Sequence, residues 1–379
     1  MDINLLTKYE KERIMNGIKK FITLRIPVYS CNFRCMYCYV GQHKNAYTRG
    51  IQPMVETPEN IAKFFSMERT GGGYYFNCCA DGETTLHPQL VKLVNCLIHE
   101  GHFCDIITNG TVSNRFDEII ETLDEDAKKH LFIKFSFHYL ELRRKNLMDA
   151  YIANVNKIKN AGISYTIEIT PHDELIPYID EIKEFSLKTF GALPHITVAR
   201  NEDTKEIELL SKYTKEEYKR IWSVFNSELF NFKLSIFNQK RNEFCYAGLW
   251  SLNVNLETGD YFQCYVSDKL GNICDGLDKP INFRPICKCR LPHCFNGHAF
   301  LAYGLCPSLE TTTYEAERNR ICADGTEFLN ETTKTFFSSK LKDSNEQLSE
   351  SQKKKYLRID NLSRAKWLTK SFLKTLIRR

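Results

Sequence analysis

The chain is predicted to be an α/β protein: a partial (β/α)6 barrel, then a smaller cysteine-rich C-terminal module, then a helical basic tail. Three observations lead there. Strand-like apolar runs alternate with helix signals six times between about residues 21 and 200, which argues for a parallel sheet. Eight of the 15 cysteines fall within residues 245–322. Residues 351–379 hold ten Lys or Arg against one acid, Asp360, so a tail of +9 offsets a body of −4 within the net +5. A length of 379 residues suits one large barrel-type domain plus a smaller module.

The elements follow in order. FITLRIP (21–27) reads as the first strand. Thr57-Pro58-Glu59 starts a helix, with the proline in its first turn, and the glycines at 71–73 end it. YYFNCC (74–79) is the second strand, and a helix opened by His87-Pro88 runs to Gly101. FCDIIT (103–108) leads into the turn Asn109-Gly110. A helix around 113–130 precedes the strand IKFSFH (133–138). A long helix around 141–160 stops at Gly162, before SYTIEIT (164–170). A helix around 174–189 then precedes PHITVAR (194–200). Six such units fall short of the eight of a full TIM barrel, hence a TIM-like partial one. Thr214 to Glu217 forms a capping box that opens a helical bridge. LWSLNVNL and DYFQCYV are short strand-like runs joined by the turn 257–260. The expected divisions are 1–210 for the barrel, 211–240 for the bridge, 241–325 for the module, and 326–379 for a polar linker with a basic amphipathic helix.

Composition narrows the function classes. No stretch reaches the roughly 18 apolar residues of a membrane span. The first 20 residues lack the apolar run of a signal peptide. A cytoplasmic location is expected, where disulfides would not account for so many cysteines and metal or cluster ligation would. Cys78, Cys79, Cys96 and Cys104 lie in apolar runs and read as core residues.

The most informative string is Cys31-Asn-Phe-Arg-Cys35-Met-Tyr-Cys38, directly after the first strand. The C-terminal ends of barrel strands are where such folds carry chemistry. Three thiolates can hold three irons of a cubane cluster and leave the fourth open to a small ligand, whereas four-cysteine sites are closed. A zinc site is the competing reading, with His43 as a fourth ligand. CxxxCxxC in this place resembles the signature of the radical S-adenosylmethionine (radical SAM) superfamily. That resemblance implies a 4Fe-4S cluster on Cys31, Cys35 and Cys38. It also implies that S-adenosylmethionine is reductively cleaved there to a 5′-deoxyadenosyl radical, which takes a hydrogen atom from substrate. Tyr37 matches the family position that packs near the adenine. Asp81-Gly82-Glu83-Thr84 resembles the family's Gly-Gly-Glu-Pro segment, which implies that Gly82 and Glu83 bind the amino group of S-adenosylmethionine. Asp81 and Thr84 depart from that pattern. Asn109, Ser136 and Glu168, at strand ends, are the remaining candidates for cofactor contacts, with Thr170 and Arg200 on the same rim. No catalytic acid or base is assigned.

The second cysteine group resembles the SPASM and twitch modules appended to many such enzymes. Cys245, then Gly259 with four residues between it and Cys264, matches their opening. Cys287-Lys-Cys289 and Cys294 echo their second group, with altered spacing and with Cys306 displaced downstream. The resemblance implies one or two auxiliary 4Fe-4S clusters drawn from Cys245, Cys264, Cys274, Cys287, Cys289, Cys294, Cys306 and Cys322. The expected partners are a peptide or saccharide substrate and an electron donor such as flavodoxin or ferredoxin. Nucleic acid is not expected, because the body is acidic. Residues 363–379 read as a basic amphipathic helix, docked on the body or resting weakly on an anionic inner-membrane surface. Two other classes compete: a zinc-stapled, non-catalytic binding protein, and an iron-sulfur protein that no longer cleaves S-adenosylmethionine.

Overall fold

A computed structural model describes residues 17–202, 207–265 and 267–362. The basic helix expected over 363–379 lies outside the described residues. The fold is α/β, as expected. Its six alternating strands are β1 (Lys20–Ile26), β4 (Tyr74–Ala80), β5 (Phe103–Thr108), β6 (Leu131–Ser136), β7 (Ser164–Ile169) and β8 (His195–Ile196). They lie side by side in that order, all parallel. Two short strands, β2 (Val28–Tyr29) and β3 (Gly50–Ile51), pair antiparallel and close the base of the loop between them.

Local chemistry sets the helix limits. Thr57 accepts the Asn60 N–H and starts Pro58–Phe64, as predicted. The helix expected over 113–130 is two, because Asp124 turns its carboxylate onto the N–H groups of Asp126 and Ala127 and begins a new one at Glu125. The helix expected over 141–160 also breaks, at Asn146, whose φ of +53° ends Tyr139–Arg144 before Met148–Asn160 begins. The last predicted strand is short. Beyond Ile196 the chain leaves the sheet, and β9 (Arg200–Asn201) pairs instead with β10 (Glu208–Leu209). The Thr214 capping box is present and opens Lys215–Trp222.

The cysteine-rich region joins the same sheet. β12 (Ser251–Asn255) pairs parallel with the free edge of β1, from Phe21 against Ser251 to Arg25 against Asn255. β13 (Asp260–Phe262) and β14 (Lys269–Asn272) then continue antiparallel, which makes nine strands. An uncovered β1 edge would leave backbone N–H and C=O groups unpaired beside a buried strand, and β12 takes them.

Two cores hold the sheet. One lies between the sheet and its crossover helices. The other fills the concave face at the strands' N-terminal ends. There Phe21, Tyr75, Phe103 and Phe132 pack against Phe300, Tyr303, Tyr314, Phe336 and Phe337 from the C-terminal region. Phe103 and Phe336 stack at 3.7 Å. Side chains on one face recur every second residue. Two positions beyond those aromatics the face turns polar: Asn77, Asp105 and Lys134 are buried above the aromatic plug. Among the described residues, no helix is long and apolar enough to cross a membrane.

Candidate cluster and cofactor site

The cysteine triplet lies on the loop between β2 and β3, at the C-terminal edge of the sheet. Cys38 N–H donates to the Cys35 carbonyl at 3.1 Å, which turns the loop back on itself. Cys31 Sγ accepts the Phe33 N–H at 3.4 Å, and Tyr47 donates to Cys38 Sγ at 3.2 Å. The three thiols lie within electrostatic reach of one another, and burial pushes Cys31 up to about 11 and Cys35 to about 12. Among the described residues, no three His, Cys, Asp or Glu side chains close to the geometry of a bound metal. The donor set does fit a cluster: three thiols on one loop, held by backbone and tyrosine donors to sulfur.

The loop after β4 presses against this one. Glu83 N–H donates to the Ser30 carbonyl at 2.9 Å. A Cβ placed on Gly82 would stand 2.1 Å from that same oxygen, so the approach requires glycine. Glu83 itself is buried. Its carboxylate accepts four hydrogen bonds: Thr85 N–H at 3.0 Å, Thr85 Oγ1 at 2.5 Å, Thr108 Oγ1 at 2.7 Å and Asn109 N–H at 2.7 Å. Three of these bonds converge on Oε1 and one reaches Oε2, so the surrounding loops hold the carboxylate in place. Burial raises its pKa against the pull of those bonds. Asn109 Nδ2 donates to Asn32 Oδ1 at 2.7 Å, and Asn32 Nδ2 to Thr111 Oγ1 at 2.8 Å. The loops after β1, β4 and β5 thus form one hydrogen-bonded unit around the triplet. The departing residue Asp81 turns to Arg25 at 2.7 Å.

Tyr37 is buried, hydrogen-bonded to His138 Nδ1 at 2.8 Å and stacked on His172 at 4.0 Å. Burial lowers His138 to about 4, which leaves a neutral ring beside Tyr37. Ser136 and Glu168 are register partners at the ends of β6 and β7. Glu168 meets Arg318 at 3.2 Å. Arg318 and its neighbour Glu317 are wholly buried, on the helix Tyr314–Arg318, and both oxygens of Glu317 lack a hydrogen-bond partner among the described residues. Neither residue was singled out from the sequence, because a charged dipeptide in YEAER looks like an exposed helix face.

In the second group, Cys245, Cys264, Cys289, Cys294 and Cys306 lie close enough for their charges to interact, with Cys306 hydrogen-bonded to Cys245. The other three stand differently. Cys287 is also within electrostatic reach of Cys245, which it opposes across the β11 (Phe244–Cys245) and β15 (Cys287–Lys288) pair, but its sulfur turns toward the Pro285 carbonyl. Cys274 is exposed. Cys322 is buried against Gly191, its sulfur toward the Phe190 carbonyl. Cys78 and Cys104 are buried in the core as read, while Cys79 and Cys96 are partly buried. A narrow cleft between the barrel rim and this group is lined by Arg200, Lys233, His293, Cys294 and His298 among others. Burial, then Arg200, lowers Lys233 to about 7. A lone lysine inside the apolar run LFNFKLSIF was the available sequence signal for it.

Residues 26–186 match the family profile described as Radical SAM superfamily. Three solved structures illustrate the structural similarity. For anSMEcpe with bound AdoMet, identity is 17%, coverage is 69% of this chain and 80% of that one, and the TM-score is 0.44. Streptococcus suis SuiB bound to precursor peptide SuiA shares 14% identity, with coverage of 70% and 64% and a TM-score of 0.48. An archaeal TYW1 shares 13% identity, with coverage of 48% and 67% and a TM-score of 0.32. No curated protein matches. Over the residues that carry Cys31, Cys35, Cys38 and the Glu83 hub, this chain is similar to the Radical SAM superfamily.

Proposed function

We propose that the chain is a radical SAM enzyme acting on a peptide, protein or sugar-type substrate. Cys31, Cys35 and Cys38 would hold the 4Fe-4S cluster. Gly82 offers a bare backbone to S-adenosylmethionine, and Tyr37, Asn109 and Ser136 line its place. When bound, the cluster and S-adenosylmethionine together supply a 5′-deoxyadenosyl radical for hydrogen-atom abstraction. The observation that carries this reading is the Gly82–Ser30 contact, which ties the triplet loop to the Glu83 hub. Glu83 acts from inside as a positioning residue: it orders the loops after β4 and β5 around the triplet. Glu168 orients the buried Arg318.

One auxiliary 4Fe-4S cluster fits the second group better than two. Cys245, Cys264, Cys294 and Cys306 are its ligands in this reading, with Cys289 the alternative fourth. Cys274, Cys287 and Cys322 are then not ligands. A cytoplasmic flavodoxin- or ferredoxin-type protein would supply electrons. The proposed division keeps 1–210 as the barrel, 211–240 as the bridge and 241–325 as the auxiliary module, but the expected linker within 326–379 begins with a helix, Glu331–Ser338, whose Phe336 and Phe337 belong to the core.

Anaerobic reconstitution of the full chain tests this. The expected product is a brown protein with broad visible absorption that releases 5′-deoxyadenosine when reduced. Replacing all three triplet cysteines by alanine should remove that release and about half the iron. Cys274→Ser and Cys322→Ser should retain all iron, and Cys294→Ser should lose the auxiliary share. A colourless protein that retains only zinc would overturn the proposal in favour of a zinc-stapled binding protein.

A further inference from the structure

Tyr47 spends its hydroxyl on a sulfur of the triplet. It donates to Cys38 Sγ at 3.2 Å. Two other donors reach these sulfurs, and both belong to the frame of the site. Phe33 N–H is backbone, and Asn109 Nδ2, 3.9 Å from Cys31 Sγ, already serves Asn32. A phenol keeps its proton near neutral pH and has one O–H to give. Removing that one oxygen would take a donor from Cys38 and leave the frame intact.

The loop is arranged to bring this ring back over the triplet. β3 pairs with β2 and closes the chain on itself, and Tyr47 stands three residues before β3. Its φ is +62°, a conformation that bulky side chains rarely adopt. The Arg34 guanidinium lies over the Tyr47 ring at 4.6 Å. Arg34 is itself fixed inside the triplet, because its Nη1 donates to the Cys31 and Phe33 carbonyls. Gly41 packs beside both partners: a Cβ there would meet the Tyr47 ring at 3.6 Å and Cys38 Cβ at 3.8 Å.

The hydroxyl and the cation act in the same direction. Thiolates on iron are negatively charged, and reducing a cluster that they hold by one electron adds another unit of negative charge. A hydrogen bond to a ligand sulfur is stronger when the acceptor is more negative, so it favours the reduced form. A positive charge beside the same loop does likewise. Hydrogen bonds to sulfur and nearby charge are among the features that set the potential of iron-sulfur clusters.

We infer that Tyr47, backed by Arg34, acts through Cys38 as a positioning residue that raises the reduction potential of the cluster held by Cys31, Cys35 and Cys38. The inference rests on the radical SAM reading for the cluster, and on the Tyr47–Cys38 bond for the direction of its effect. A raised potential brings the cluster within reach of a weaker reductant.

The test is an anaerobic redox titration of the reconstituted full chain, followed by EPR of the reduced protein. The triplet signal is the one that disappears when all three triplet cysteines are replaced by alanine. Tyr47→Phe is compared with the parent, at matched iron content and with S-adenosylmethionine binding measured on each. The expected midpoint of Tyr47→Phe is lower, by about threefold to tenfold in the reduction equilibrium, or about 30–60 mV at 59 mV per tenfold for one electron. Pulsed ENDOR of the reduced protein should also lose an exchangeable-proton coupling, which a packing role would not remove. An unchanged or raised midpoint overturns the inference. If Tyr47→Phe loads no triplet cluster, Arg34→Gln decides: a lower midpoint supports the inference and an unchanged one overturns it. A parent that shows no triplet signal would sink the radical SAM reading and this inference with it, whereas a parental signal with an unmoved midpoint sinks the inference alone.

Discussion

Gly82→Ala is the sharpest perturbation the geometry offers. The added carbon would lie 2.1 Å from the Ser30 carbonyl oxygen and 2.8 Å from Ser30 N. An unforced carbon–oxygen contact is about 3.3 Å, so the two loops must part by about 1 Å. Both clashing atoms are backbone, so no rotamer change relieves them. The Glu83–Ser30 hydrogen bond lies beside the clash and lengthens with it. Overpacking costs about 1–3 kcal/mol and a lost hydrogen bond about 1 kcal/mol. The variant should therefore lose about 2–4 kcal/mol of stability. A displacement of about 1 Å at a reacting centre costs about 100-fold in rate. The assays are urea unfolding and 5′-deoxyadenosine release at matched iron content, both without oxygen. A variant with parental unfolding midpoint and release rate would refute the idea that this contact sets the distance between the triplet and the Glu83 loop.

Further outcomes follow from the same contacts. Glu83→Ala leaves the N–H groups of Thr85 and Asn109 without their acceptor; at about 1–3 kcal/mol each, urea unfolding should show a loss of several kcal/mol, with weaker S-adenosylmethionine binding by calorimetry. Arg318→Met strands Glu168 and Glu317 in a buried site, so about 3–5 kcal/mol should be lost and partly recovered when Glu168→Gln is added; equal stability of single and double variants would count against the pairing. His195 is buried, and burial holds its pKa well below the ordinary 6.5. The unfolded chain then takes a proton below about pH 6.5 that the folded chain refuses, so this contribution is present above that pH and declines as pH falls, by up to about 1.4 kcal/mol per pH unit. His195→Gln should flatten that acid limb in urea titrations at pH 5 and 7.

Much of the arrangement was legible from sequence. The alternation of apolar runs with helix signals located six parallel strands, because that period depends on residues near in sequence. The triplet and Glu83 stood out because they follow strands directly, where barrel loops carry function. Helix ends were less legible. Asp124 competes for backbone N–H groups in the middle of an apparently continuous helix, and Asn146 takes a left-handed turn that its neighbours do not announce. The eight later cysteines looked alike in spacing. Their surroundings separate them: Cys264, Cys289, Cys294 and Cys306 gather around Cys245, Cys287 opposes it across a strand pair, Cys274 faces solvent and Cys322 packs on Gly191.

By itself the sequence determined where a metal or cluster site could stand, since three thiols at that spacing after a strand can serve few purposes. Only the tertiary structure decided what surrounds them. β12 comes from 225 positions or more beyond β1 and still pairs with it. Arg318, Lys233 and His298 come from three separate segments and lie within electrostatic reach of one another. Their charges cost little on an isolated helix in water. Their meaning arises from burial, which makes each unspent donor expensive.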